Sequence, residues 1–224
     1  MKLSTRLAIG ALIGAAALHT GFVAAQAPAA APASASEQNP SDVVQTAAQG
    51  ILKDLDANRD MYRKDPSKVS ALVDKYLLPH FDTEYAAKLV LAQNWRTATD
   101  DQKKRFIDAF YHSLLTNYGS ALAEFTSDKL KVFPTSVPAG DDHATVRTEV
   151  KRDNGDRIAV NYQLRKEADG WKAYDVNIDG ISYVKSYRDD FGAQIQQKGI
   201  ESVITRLQKG EKPNDIKKTT DKTS

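Results

Sequence analysis

The chain contains no cysteine among its 224 residues. This absence excludes disulfide bridges, a thiol nucleophile, thiolate metal sites and a lipid anchor attached to cysteine. It also removes the usual sign of an oxidising compartment, so the compartment has to be inferred from the N-terminus. An excess of charge of one sign is lacking as well, since 31 basic residues stand against 29 acidic residues. Such a balance does not favour a nucleic-acid partner.

Familiar catalytic and phosphate-binding motifs are missing too. The chain has no G-x-S-x-G, no Walker loop, no G-x-G-x-x-G and no H-E-x-x-H. Beyond the N-terminal segment the histidines are His80, His112 and His143, and they show no metal-ligand spacing. We therefore predict no catalytic residues, no metal site and no cofactor.

The N-terminus has the pattern of an export signal. Lys2 and Arg6 precede an apolar run over residues 7–18, and this run is too short to span a bilayer comfortably. Small residues follow, and we predict cleavage after Ala25. A cut after Ala27 and an uncleaved anchor helix are the alternatives. This pattern predicts a protein secreted into the periplasm.

Composition divides the chain into four segments. Residues 1–25 are the predicted signal peptide, and residues 26–41 form a flexible linker rich in Ala, Pro and Ser. Residues 42–208 have the apolar periodicity of one folded domain. Residues 209–224 are polar, with five lysines, and are expected to be a disordered tail.

Helical periodicity dominates both ends of the folded domain. Asn39 and Asp82 mark predicted helix starts, and Thr99 with Gln102 predicts a capping box. The helix that follows Thr99 is expected to continue to about Phe125. It carries a broad apolar stripe formed by Phe106, Phe110, Leu114, Tyr118 and Leu122.

Four strands are predicted between the helices. The first covers residues 130–133, and the others alternate apolar and polar residues over 144–150, 158–164 and 171–178. The helical period then returns and is interrupted at Gly199. This order indicates an α+β fold in which a four-stranded antiparallel sheet is wrapped by helices. By analogy we expect an NTF2-like cone with an apolar pocket.

The carboxylates that we consider for acid–base chemistry are Asp175, Asp179, Asp189 and Asp190. Four residues of strand would hold Asp175 and Asp179 about 13 Å apart, which is too far for a shared proton. We expect Asp175 to face solvent, and Asp179 to form the turn into the next helix with Gly180.

The strands and the helix after them carry a resemblance to a known family. The pattern W-K-x-Y-D-V, G-I-S, Y-R and F occupies residues 171–176, 180–182, 187–188 and 191. Together with L-P-H-F-D at 78–82 and Q-K-K-R-F-I-D-A-F at 102–110, it resembles the MlaC family, also called toluene-tolerance auxiliary proteins, over about residues 42–208.

One local departure from this family concerns a turn. The family often has Leu-Gly just before a Trp-Arg pair, whereas this chain reads Leu91-Ala92-Gln93-Asn94-Trp95. The resemblance therefore does not extend to the conformation of this turn.

The resemblance implies a periplasmic phospholipid carrier of the Mla pathway, which maintains lipid asymmetry. It implies two partners, an inner-membrane ABC transporter complex and an outer-membrane lipoprotein–porin complex. It further implies that the acyl chains of the cargo are buried in residues 42–208 and that the head group stays outside. The alternatives are an NTF2-like enzyme of isomerase or hydratase type acting on a small apolar substrate, and a protein-interaction module. The enzyme would need a pocket carboxylate with a raised pKa.

Combined with the resemblance, the apolar faces predict a lipid-sized cavity between the long helix and the sheet. The same aromatic and aliphatic side chains also fit an ordinary close-packed core. The residues that we expect to bind lipid are Phe110, Leu114, Tyr118, Val146, Val150, Val160, Tyr162, Tyr174, Val176 and Ile178. The residues that we expect on the other side of the sheet are Arg147, Glu149, Arg157 and Gln163.

Overall fold

The computed structural model describes residues 38–123, 126, 129–152 and 154–211, with the backbone alone for residues 66 and 116–123. The described residues belong to one compact unit. The predicted signal peptide, residues 26–37 of the predicted linker and residues 212–224 of the predicted tail lie outside them. None of the described helices combines the length and the apolar character needed to cross a membrane.

Along the described part of the chain, four α-helices come before the strands and two α-helices follow them. The α-helices are α1 (Pro40–Lys64), α2 (Val69–Tyr76), α3 (Thr83–Leu91), α4 (Asp100–Ala123), α5 (Tyr183–Lys198) and α6 (Ile200–Gln208). The strands are β1 (Leu130–Val132), β2 (His143–Lys151), β3 (Arg157–Glu167), β4 (Gly170–Ile178) and β5 (Ile181–Ser182). Short 3₁₀ turns cover Pro66–Lys68, Leu78–His80 and Ala92–Arg96.

Local sequence signals fix where the helices begin. Asn39 and Asp82 each accept a hydrogen bond from a backbone N–H of the first turn, at 3.0 and 2.9 Å. Thr99 and Gln102 form the predicted reciprocal box, with bonds of 3.2 and 3.0 Å. These bonds satisfy N–H groups that have no partner within the helix, so the three predicted starts are confirmed. The predicted end of α4 near Phe125 lies outside the described residues.

The sheet is antiparallel throughout and has the order β1-β2-β3-β4-β5. The α+β class with an antiparallel sheet is therefore confirmed, whereas the predicted count of four strands is wrong by one. The additional strand, β5, has two residues and pairs with the end of β4. Two residues cannot show an alternation, so the pattern of the sequence gives no sign of it. The cone-shaped architecture stays a prediction.

Strand register divides the sheet into two faces. We call the face that contains Val146 and Leu164 the inner face, and the opposite one the outer face. The inner face consists of Leu130, Val132, Ala144, Val146, Thr148, Val150, Ile158, Val160, Tyr162, Leu164, Lys166, Trp171, Ala173, Val176, Ile178 and Ile181. The residues predicted on the outer face are there: Arg147, Glu149, Arg157 and Gln163. Because side chains alternate along a strand, this register assigns the predicted polar and apolar sets to opposite faces, with the exception of Tyr174.

The largest apolar core is built by helices alone. Phe106 and Phe110 of α4 stack with ring centroids 5.7 Å apart. The ring of Tyr187 from α5 meets Phe110 edge-on at 4.9 Å, and Phe191 meets Phe106 in the same way at 6.2 Å. Buried residues of α3 and α6 complete this helical core. No strand residue belongs to this cluster, so the sheet contributes no side chain to it.

The backbone is strained at Ala92, where the sequence differs from the Leu-Gly pattern of the MlaC family. It ends α3 with φ 48° and ψ −119°, and its side chain is exposed. A positive φ favours glycine, because a Cβ atom crowds the backbone there. The turn therefore keeps a geometry suited to glycine, although the chain has alanine.

We predict that Ala92→Gly stabilises the protein by about 1 kcal/mol. Relief of a strained backbone, worth about 1–3 kcal/mol, outweighs the additional entropy of glycine in the unfolded chain. Urea unfolding monitored by circular dichroism measures the difference. The matched control is Ala193→Gly, which changes an exposed alanine inside α5 and should destabilise by about 1 kcal/mol. Destabilisation by both changes would contradict the strain at Ala92.

Candidate functional site

One end of the inner face is closed by a packed core. Val146 and Leu164 are 0% exposed, and Trp171 packs with them. Val43 of α1 covers this cluster, and Phe81 packs against it from the segment before α3. The end of the sheet farthest from the β2–β3 turn is therefore an ordinary protein interior.

The other end of the inner face is less covered. We call its half-buried apolar residues the open half: Ile158, Val160, Val176, Ile178 and Ile181. Val160 pairs with Ile178 across the strands, and Ile178 pairs with Ile181. These side chains thus form one continuous apolar patch, and none of them belongs to a packed core among the described residues.

The packing partners of α4 explain why this patch stays uncovered. Within the described part of the chain, α4 packs mainly on α6, α2 and α3, whereas the sheet packs mainly on α1, α3 and α5. Leu114 of α4 is half-buried and lies against the helical core rather than in it. The apolar stripe of α4 and the open half are therefore not each other's main packing partners.

Tyr162 has an unusual combination of burial and accessibility. Its pKa is raised from the ordinary tyrosine value because burial removes water from the hydroxyl group. The side chain nevertheless keeps accessible surface. Tyr162 pairs with Val176 of the open half, and no hydrogen-bond partner for its hydroxyl is found among the described residues. Tyr162 also packs against the closed core, so it lies at the border between that core and the open half.

Few polar groups lie on the inner face. Thr148 is 2% exposed, and its hydroxyl donates to the carbonyl oxygen of Val160 at 2.6 Å. The inner face as defined contains no carboxylate. The carboxyl groups with displaced pKa values in the described part of the chain all have lowered values: Asp54, Asp65, Asp142, Asp169 and Glu201. Acid–base chemistry would need the opposite shift.

A β-bulge changes the pattern of β4. Gln163 pairs with Asp175. Leu164, the next residue of β3, pairs with Ala173 rather than with Tyr174. Tyr174 is thus the additional residue of the bulge, and the alternation is reset on either side of it.

The bulge places Tyr174 on the outer face, so its predicted position beside Val176 is wrong. Its ring meets His143 at 6.0 Å and Tyr85 at 5.2 Å. The guanidinium of Arg165 stacks on Tyr85 at 4.1 Å. These contacts link α3 to the outer face, and they exclude Tyr174 from any site on the inner face.

Asp175 does not face solvent, which corrects a second expectation. It is 8% exposed and accepts hydrogen bonds from the N–H of Val184 at 3.0 Å and from the hydroxyl of Ser182 at 2.5 Å. Ser182 in turn accepts from the N–H of Lys185 at 3.0 Å and thereby caps α5. Asp175 therefore fixes the start of α5 on the sheet, a structural role that leaves its oxygens occupied.

The turn after β4 follows the sequence prediction. Asp179 and Gly180 have φ angles of 48° and 85°. The carboxylate of Asp179 accepts from the N–H of Ala159 at 3.2 Å, which holds the turn against β3.

Two clefts on the helical side have a different character. One, of about 380 Å³, lies between α4 and the end of α6 beside Arg105, Asp108 and His112. The other, of about 710 Å³, lies between α5 and α6 beside Gln194 and Glu201. Both are lined largely by polar side chains, and neither contains a predicted lipid-binding residue. No cluster of potential metal ligands occurs among the residues that the structure describes.

The predicted lipid-binding residues are thus dispersed. Val160, Val176 and Ile178 form part of the open half, with Tyr162 and the buried Val150 beside them. Val146 lies in the closed core, and Phe110 in the helical core. The side chain of Tyr118 lies outside the described residues. The alternation of β3 also places Ile158 on this face, whereas Ile181 joins it only through β5.

Comparison with known proteins identifies the family. The family model described as "MlaC protein" matches residues 45–209. The chain belongs to the MlaC family. Toluene tolerance protein Ttg2D of Pseudomonas putida is 32% identical over 163 residues, which cover 72% of this chain and 75% of that protein. The intermembrane phospholipid transport system binding protein MlaC of Haemophilus influenzae is 25% identical over 175 residues, covering 77% and 82%.

A solved MlaC-like structure supports the fold. The phospholipid-binding protein of Ralstonia solanacearum, determined in complex with a phospholipid, matches with a TM-score of 0.72 at 27% identity. The match covers 77% of this chain and 97% of that structure. The described domain of this MlaC-family chain thus has the architecture of a protein that was solved with phospholipid bound.

We predict that Asp175→Ala lowers the free energy of unfolding of this MlaC-family protein by about 1–3 kcal/mol. The change leaves the buried N–H of Val184 without its acceptor and removes the acceptor of the Ser182 hydroxyl. Urea titration measures the loss. Asp189→Ala is the matched control, because Asp189 is an exposed aspartate of α5 itself. This change should alter the free energy of unfolding by less than about 0.5 kcal/mol. Equal effects of the two changes would show that Asp175 does not anchor α5.

Proposed function

We propose that this protein carries phospholipid through the periplasm, between outer-membrane and inner-membrane complexes of the Mla lipid-asymmetry pathway. The acyl chains lie against the open half of the inner face. The signal peptide over residues 1–25 directs export, and residues 42–208 hold the lipid. The partners are an outer-membrane lipoprotein–porin complex and an inner-membrane ABC transporter complex.

The half-buried apolar surface of the open half is the observation that carries this proposal. Two acyl chains contain about 30 methylenes, and exposing them to water costs on the order of 20 kcal/mol. A carrier must therefore offer a large apolar surface that its own side chains do not cover. Family membership and the phospholipid in the Ralstonia structure support the same cargo.

The carrier function needs no catalytic residue, and the position of the carboxylates favours it over an isomerase or hydratase. Asp175 is the buried carboxylate of the sheet, and both of its contacts hold the start of α5. Asp175 lies on the outer face, where it pairs with Gln163. An apolar pocket without a carboxylate can bind an apolar molecule but lacks the carboxylate base that we expect of such an enzyme.

We predict that the wild-type protein purified from the periplasm contains phospholipid, and that Val160→Phe reduces its amount several-fold. The phenylalanine ring occupies space next to the other residues of the open half and does not disturb a packed core. The free energy of unfolding should therefore change by less than about 1 kcal/mol. Native mass spectrometry measures the lipid, and thermal unfolding is followed on the same samples.

Val146→Phe is the matched control for this experiment. Val146 lies on the same face but is fully buried in the closed core, so the same enlargement should cost about 1–3 kcal/mol of stability through overpacking. Wild-type protein without phospholipid, combined with equal destabilisation by both changes, would mean that the open half is an ordinary core.

A further inference from the structure

A basic residue continues the inner face beyond the end of β2. The backbone N–H of Arg152 donates to the carbonyl oxygen of Asp156 at 2.7 Å, so the pairing of β2 with β3 extends one residue past Lys151. Side chains alternate along a strand, and Arg152 therefore emerges on the side of Val150. Lys151 emerges on the outer face, where it is exposed.

Arg152 has no acidic partner among the described residues, although its side chain is half-buried. Other half-buried arginines are paired with acids: Arg105 with Glu201 at 2.6 Å, Arg165 with Asp82 at 2.8 Å and Arg206 with Asp190 at 2.7 Å. Near the turn, Arg157 pairs with Glu149 on the outer face. Asp156, which lies opposite Arg152, accepts from the side chain of Asn154 at 2.8 Å.

A charge that has lost part of its water and has no counter-ion is unfavourable. The planar guanidinium group matches the geometry of a phosphate, to which it can donate two parallel hydrogen bonds. An anion that arrives at this end of the inner face would therefore remove an energetic cost that the free protein carries.

Distance along the strand fits a lipid placed in this direction. Six residues separate Arg152 from Val146 in the closed core, which corresponds to about 20 Å of strand. The hydrocarbon of one membrane leaflet is about 15 Å thick, half of a bilayer core. An acyl chain that starts beside Arg152 thus has room along the open half before it reaches the closed core.

We propose that Arg152 binds the phosphodiester of the carried lipid at the β2–β3 end of the inner face. This inference rests on the proposed function and assigns to that carrier a polar contact at the entrance of an otherwise apolar site. Arg152 then distinguishes phospholipids from neutral lipids that have the same acyl chains.

The test compares two lipids that differ only in the phosphate-containing head group. The full-length protein, secreted and purified, is stripped of lipid and incubated with vesicles containing equal amounts of phosphatidylglycerol and diacylglycerol. Bound lipid is measured by mass spectrometry. Arg152→Gln should reduce the ratio of bound phosphatidylglycerol to bound diacylglycerol about tenfold, the effect of losing one hydrogen bond to a charged group. Lys151→Gln, which removes an adjacent charge from the outer face, should leave this ratio unchanged.

The other outcomes would overturn the inference. An equal fall for both lipids in Arg152→Gln would mean that Arg152 supports the fold, and equal effects of the two substitutions would mean that only general charge matters. Displacement of phosphatidylglycerol by millimolar inorganic phosphate would assign the site to free phosphate. Wild-type protein that retains neither lipid would instead contradict the proposed carrier function itself.

Discussion

The structure depends on the fact that the helices complete an apolar core without the sheet. Phe106, Phe110, Tyr187 and Phe191 bury one another, and α6 closes the cluster. Once α4 is committed to this core, it cannot also be the main cover of the sheet. The inner face then has to be covered by other groups, and α1 with Phe81 covers only one end. The uncovered remainder is a consequence of how the helices divide their apolar surface.

An uncovered apolar face collapses unless its surroundings are held apart. Here polar contacts fix the helices to the sheet at defined points. Asp82 caps α3 while its carboxylate binds Arg165 and its N–H donates to the carbonyl oxygen of Ala173. Asp175 holds the start of α5 through Ser182. Charge-assisted hydrogen bonds of this kind are directional, so they fix the orientation of α3 and α5 on the sheet.

Local interactions made much of this fold predictable from the sequence. The capping box at Thr99 and the alternation of β2 and β3 depend on residues close together in the chain, and the structure contains them as predicted. The position of Tyr174 was not predictable in this way, because the bulge is decided by how β4 pairs with β3. The burial of Asp175 likewise depends on the start of α5, seven residues later.

The same distinction limits what a pattern can say about the site. Alternation assigns Val146 and Val160 to one face, but it cannot show that Val43 covers the first and not the second. Whether an apolar residue belongs to a core or to a binding surface depends on what lies opposite. In a carrier the missing part of the core is supplied by the cargo, so each methylene that the cargo buries adds about 0.8 kcal/mol to the complex. Because a ligand that binds only the folded state stabilises it, lipid binding and folding of this region are thermodynamically coupled.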